Sequence, residues 1–299
     1  MAKVRSLNFE EKHPTTLEKV RNLLDALKVH ESLFALPFAY VAMLIAADGI
    51  PTWTQFIFIT LGMIGARNFG MAMNQIIDKK IDSVNPHNMN RHLPSGRVGI
   101  LEMSLFSIAA LVLFVFSAWK LGSLPFILVW PATAYMILYS YTKRFTWAAN
   151  LILGSVLAIG PGGAWIGVTG SFSINMLILC TSVFLWASAF DILYHIRSRD
   201  FYLEYGLHSI PQVFGIKTAL NWSRAHDCLA VAAFILVGIM TQISWPYYLG
   251  IMLVSIILTY KHVILIPFDE TKINRTFFRF NAMISIAVLS FTFIAVVLK

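Results

Sequence analysis

The chain has 299 residues, of which 58% are hydrophobic, 14% aromatic and only 13% charged, with a formal net charge of +8. A soluble globular chain averages about 25% charged residues, so this composition excludes an ordinary soluble or disordered protein and indicates an all-α, polytopic membrane protein. The positive charge needs no nucleic acid to explain it, because anionic lipids at the cytoplasmic leaflet attract basic loops.

Residues 1–31 form a charged arm in which Leu17, Val20, Leu24 and Leu27 recur at helical spacing among Glu18, Lys19, Arg21 and Lys28. That pattern predicts an interfacial amphipathic helix on a cytoplasmic arm. Apolar runs long enough to cross a bilayer follow near 32–49, 53–77, 100–119, 122–141, 150–169, 173–194, 226–243, 246–264 and 277–298. The first run has no small-residue cleavage site behind it and is read as a retained span.

Nine spans place alternate connections on the same side as the N-terminal arm, and the arm and those connections together hold every Lys and Arg of the 23 except Arg67, Lys120 and Lys299. The positive-inside bias therefore puts the N-terminus in the cytoplasm and the C-terminus outside. Two connections on the basic side, roughly 78–99 and 191–225, are much longer than the others and predict a helical cap over a membrane cavity. No repeat divides the chain, so one domain over 1–299 is expected. Cys180 and Cys228 lack pairing or metal-ligand spacing and read as packed thiols. His195, His208 and His226 form no compact ligand cluster, which argues against zinc.

The chemistry concentrates at the end of the second run, where Asn74, Asp78 and Asp82 recur every fourth residue on one helical face. Ionisable groups at membrane depth face a cavity or pathway, and two carboxylates with an amide suit Mg²⁺, which takes oxygen ligands together with substrate phosphates. Read alone, Asp78, Lys79, Lys80 and Asp82 would equally serve as a solvated helix end. Arg67, seven residues before Asn74, returns to nearly the same face. Lys143 and Arg144 follow the fourth span as candidate anion ligands, or as plain positive-inside charge.

The ordered series Asn74-Gln-Ile-Ile-Asp78-Lys-Lys-Ile-Asp82, Asn85-Pro86, Arg91-His-Leu-Pro94-Ser-Gly96, Tyr141-Thr-Lys143-Arg144, Asp191-Ile-Leu-Tyr194 and Gly206-Leu-His-Ser-Ile-Pro211 resembles the UbiA family of intramembrane prenyltransferases. The last two elements are similar to its quinone-pathway branch, typified by 4-hydroxybenzoate polyprenyltransferases. The resemblance implies a nine-helix bundle around a central chamber in a bacterial inner membrane, with a polyprenyl diphosphate held through Mg²⁺ and a hydroxylated aromatic acid as acceptor.

By the same resemblance Asp78, Asp82 and Asp191 are catalytic. Asn74, Asp78, Asp82 and Asp191 are metal ligands, and Arg67, Asn74, Lys143, Arg144, Tyr194 and Ser198 contact substrate. The chain departs from the family's second acidic element, DxxYxxxDxxxD, by placing Ser198 and Tyr202 where acids are expected. Either the helix breaks early and Asp200 swings in, or Ser198 supplies a neutral oxygen, or the second site binds metal weakly. Alternative assignments are dihydroxynaphthoate prenylation for menaquinone, a haem farnesyltransferase-like enzyme, and a transporter or catalytically weakened diphosphate-binding protein.

Overall fold

The structure is a computed structural model that describes residues 32–264 and 270–299, with side chains at 36–264 and 279–299. The amphipathic helix expected within 1–31 lies outside the described residues. Ten helices account for the described chain, and no strand occurs among the described residues. They are α1 (Ser32–Ala47), α2 (Trp53–Val84), α3 (Ile100–Leu121), α4 (Ser123–Thr142), α5 (Ala149–Thr169), α6 (Ile174–Ile196), α7 (Arg199–Glu204), α8 (Ile210–Met240), α9 (Pro246–Ile264) and α10 (Glu270–Val297).

Among the described residues eight helices are long and apolar enough to span a membrane, and α1 contributes a shorter apolar helix over Leu36–Ala47. Their outer faces display large apolar side chains such as Leu101, Trp119, Trp130, Ile239 and Met252. Water would not tolerate so much exposed hydrocarbon, so this is an integral, multi-pass membrane protein. The seventh span differs from expectation. Its helix begins at Ile210, not near 226, and the connection expected over 191–225 shrinks to the stretch around α7. The cause lies in Gly206-Leu-His-Ser-Ile-Pro211: the Ser209 hydroxyl accepts from the Gln212 N–H at 3.3 Å, and Pro211 sits in the first turn, where its missing N–H costs nothing. Gly215, at φ 80° and ψ 166°, then breaks the helical geometry once, a backbone state open to glycine, before α8 continues to Met240.

Consecutive spans pack against one another, and the chain closes on itself because α1 lies against both α5 and α10. Phe38 of α1 meets Trp186 of α6 with ring centroids 4.7 Å apart and Phe234 of α8 at 5.9 Å, while the Tyr247 hydroxyl of α9 donates to the Phe234 carbonyl at 2.9 Å. This aromatic cluster locks four helices together. α6 is the most enclosed span among the described residues. It approaches α5 so closely at Gly154 that a Cβ there would lie 2.1 Å from Ser188 Oγ and 2.7 Å from the Phe184 carbonyl. Small residues allow such backbone approach in lipid, where packing replaces the hydrophobic drive. By contrast α2 touches α5 only sparsely, and that gap becomes a cavity.

Candidate active site

The polar chamber lies where α2, α4, α5 and α6 end together beneath α7 and the 85–99 connection, and has a volume of about 210 Å³. Asp78 and Asp82 are each 1% exposed, and Asp191 is 5% exposed. All three line this one chamber, so they are buried charges facing a shared cavity and not a solvated helix end.

Each carboxylate is held differently. Asp78 Oδ2 receives Lys143 Nζ at 2.5 Å and Asn74 Nδ2 at 2.9 Å, while Oδ1 receives Arg144 Nη2 at 3.0 Å. Asp82 is gripped by the connection that follows it, with Asn88 Nδ2 at 2.9 Å and Arg91 Nη1 at 2.8 Å. Burial opposes the charge on Arg91, but Asp82, Tyr194 and Asp78 together outweigh it and hold its pKa above the ordinary value. Asp191 accepts from Asn150 Nδ2 at 2.8 Å and lies 3.2 Å from His195 Nδ1.

Of the residues the sequence singled out, Arg67, Asn74, Asp78, Asp82, Lys143, Asp191, Tyr194 and Ser198 line the chamber together. Arg144 stands behind its wall, donating to the Ser140 carbonyl at 2.7 Å, the Ile77 carbonyl at 3.1 Å and Asp78. Its guanidinium is thus engaged in placing Asp78 between α2 and α4. In the second acidic element α6 ends at Ile196, so the helix does break early, yet Asp200 does not swing in. Its side chain is 93% exposed and pairs with Arg199 at 3.1 Å. Ser198 and Tyr202 face the chamber instead. Burial and the nearby Asp78, Asp191 and Asp82 carboxylates push the Tyr202 phenol well above its ordinary pKa, which leaves it a neutral hydroxyl.

Several lining residues escaped sequence reasoning. Asn150, 1% exposed, bridges Asp191 to the Ile210 N–H, which donates to Asn150 Oδ1 at 2.9 Å and so ties α5, α6 and α8 at one point. Its sequence signal is an amide at the mouth of an otherwise apolar run. His195 and His208, read from sequence only as forming no zinc cluster, also line the chamber, and the His208 N–H donates to the Lys143 carbonyl at 2.7 Å. Arg197 lies with its guanidinium carbon 3.9 Å above the Tyr194 ring and donates to the Tyr194 hydroxyl.

Below the chamber a larger apolar cavity of about 750 Å³ runs between α2, α4 and α5 toward α6. The two share Arg67, Met71, Asn74, Tyr139, Leu153 and Leu157, so a polar head and a greasy tail of one molecule fit end to end.

The donor set fits a magnesium ion at Asn74, Asp78 and Asp82: oxygen ligands on successive turns of one helix, with the counter-charges of Lys143 and Arg91 on the two carboxylates. Among the described residues no three His, Cys or acidic side chains converge, so any such ion also needs ligands from substrate or water. On the α6 side Asp191 is the acid facing the chamber, a poor basis for a second tight site.

Comparison with known proteins assigns the family. Residues 35–284 match the model of the UbiA prenyltransferase family. A 4-hydroxybenzoate octaprenyltransferase of Pseudoalteromonas translucida is 28% identical over 227 residues, covering 76% of this chain and 77% of that protein; one from Enterobacter is 24% identical, covering 80% and 83%. The apo structure of a UbiA homolog from Aeropyrum pernix superposes with a TM-score of 0.82 at 27% identity, covering 89% of this chain and 98% of that one. A UbiA homolog from Archaeoglobus fulgidus bound to GPP and Mg²⁺ shares the fold, with a TM-score of 0.66 at 19% identity over 92% and 99%. The chain therefore belongs to the UbiA prenyltransferase family.

Proposed function

We propose that this enzyme transfers a polyprenyl group from its diphosphate to a hydroxylated aromatic acid, with 4-hydroxybenzoate as acceptor, at the cytoplasmic face of the membrane. The observation that carries this reading is the continuity of the two cavities: an acidic and basic chamber opens into an apolar one, matching an amphiphile with an anionic head. The relatives named 4-hydroxybenzoate octaprenyltransferase support the choice of acceptor.

Asn74, Asp78 and Asp82 would hold magnesium, which when bound neutralises negative charge on the diphosphate. Lys143 and Arg91 turn from Asp78 and Asp82 onto the diphosphate oxygens, and Arg144 keeps Asp78 in place. On the α6 side Asp191 is positioned by Asn150 and His195. With Ser198 and Tyr202 neutral, Arg197 supplies there the positive charge that a second metal site would otherwise bring. As the allylic carbon–oxygen bond breaks, its electron pair leaves with the diphosphate and these fixed charges stabilise it. The ring carbon ortho to the phenolic hydroxyl attacks the allylic cation, and loss of that carbon's proton restores aromaticity. Arg67, which lines both cavities, would orient the acceptor's carboxylate by bidentate pairing. The buried chamber excludes the water that would otherwise hydrolyse the cation.

The test is transfer by purified protein of a labelled prenyl group to 4-hydroxybenzoate, with dihydroxynaphthoate offered in parallel. Prenylated 4-hydroxybenzoate is expected. Product on dihydroxynaphthoate alone moves the enzyme to menaquinone synthesis, and diphosphate binding without any product refutes catalysis.

A further inference from the structure

Three glycines of α5, Gly160, Gly163 and Gly167, recur at intervals of three and four, which brings them within about 60° of one another on the face turned toward α2. The outer two are filled against their neighbours. A Cβ on Gly160 would lie 3.0 Å from Met63 Cε, and one on Gly167 would lie 3.1 Å from Leu121 Cδ1 and 3.5 Å from Ile59 Cγ1. Gly163, between them, differs: a Cβ there meets nothing within 4 Å, and the residue lines the apolar cavity. Its face therefore opens into the void, between the glycines that Met63 and Leu121 cover on either side.

We propose that Gly163 is a specificity-determining residue, the point past which the prenyl tail must thread, and that its missing side chain lets the enzyme accept long polyprenyl diphosphates. This rests on the prenyl-transfer reading above and adds a length limit to it. Gly163 is thirteen residues along α5 from Asn150, which marks the diphosphate end, and at 1.5 Å per residue that is a depth of about 20 Å. An extended isoprene unit spans four backbone bonds of about 1.5 Å each, or roughly 5 Å along the chain, so about four units fit above Gly163. Geranyl diphosphate ends well short of it and an octaprenyl tail must pass. A side chain at this position therefore discriminates by length and leaves the polar chamber untouched.

The experiment compares wild type, Gly163→Leu and Gly163→Phe in nanodiscs with geranyl, geranylgeranyl and octaprenyl diphosphate. Gly163→Phe should keep geranyl transfer within about twofold and lose octaprenyl transfer at least tenfold, because a tail turned back loses burial of whole isoprene units. Gly163→Leu should fall between, and retained geranyl transfer reports an intact fold. Equal loss for all three lengths, or undiminished octaprenyl transfer, overturns the proposal. Should wild type prenylate no acceptor at all, the transfer reading fails but length selection is still read from displacement of bound geranyl diphosphate. Octaprenyl diphosphate displacing it from wild type and not from Gly163→Phe supports the role of Gly163, and equal displacement refutes it.

Discussion

Lys143 pairs with the Asp78 oxygen that the proposed magnesium ion would need, and replacing it separates two roles that activity alone would merge. Its ammonium lies 2.5 Å from Asp78 Oδ2, with its side chain only 17% exposed. In Lys143→Met the aliphatic stem persists and the charge is gone, so Asp78 keeps Arg144 and Asn74 but loses its closest competitor for a cation. A hydrogen bond to a charged group contributes about 1.5–3 kcal/mol, equivalent to roughly 10- to 100-fold in an equilibrium constant. Calorimetry of Mg²⁺ binding without diphosphate should show tighter binding by that factor. Prenyl diphosphate should bind more weakly by a similar factor, since the same ammonium is meant to turn onto the phosphate. Unchanged or weaker Mg²⁺ binding in Lys143→Met would refute the exchange of partners at Asp78.

Asp78→Ala should lower transfer by about 10³-fold, because it strands Lys143 and Arg144 and removes a ligand where charge develops; Ser198→Asp should retain or raise transfer, and a comparable loss there would refute the placing of Ser198 beside the diphosphate. Asn150→Ala leaves the Ile210 N–H without its acceptor and Asp191 without a donor, each costing about 1–3 kcal/mol, so the melting temperature should fall along with transfer. Outside the chamber lining, Lys261 and His262 of α9 both contact Asp227 Oδ2 of α8, at 2.5 and 2.7 Å, and Lys261 and Asp227 are both buried. Lys261→Met should destabilise the protein by about 3–5 kcal/mol in a denaturation titration, and adding Asp227→Leu should recover most of that loss.

How much of this was legible in the chain depends on the range over which each feature is determined. The spans were legible because hydrocarbon thickness sets their length, and Asn74, Asp78 and Asp82 because a four-residue interval on one helix fixes a face without any tertiary knowledge. The start of α8 was missed because residues 210–225 mix apolar and polar side chains, so hydropathy sees a loop, whereas the Ser209 cap and Pro211 already mark a helix N-terminus. Ser198 and Tyr202 were legible as departures from an acidic pattern. Where the helix broke was not, since that depends on α7 folding over the chamber and sending Asp200 to solvent.

Asn150 and Arg144 show the converse limit. Asn150 stands alone in an apolar run, and its worth comes from two partners 41 and 60 residues away. Arg144 reads from sequence as the better anion ligand of the pair because its fork is planar, yet two backbone carbonyls and Asp78 claim that fork and leave Lys143 to face the chamber. The division has a physical logic. A guanidinium with several directed donors holds a buried carboxylate in one geometry, whereas an ammonium on a flexible stem can exchange one anion for another at little reorganisation cost. A site that must release a carboxylate to a metal and then engage a diphosphate therefore needs the lysine in front and the arginine behind.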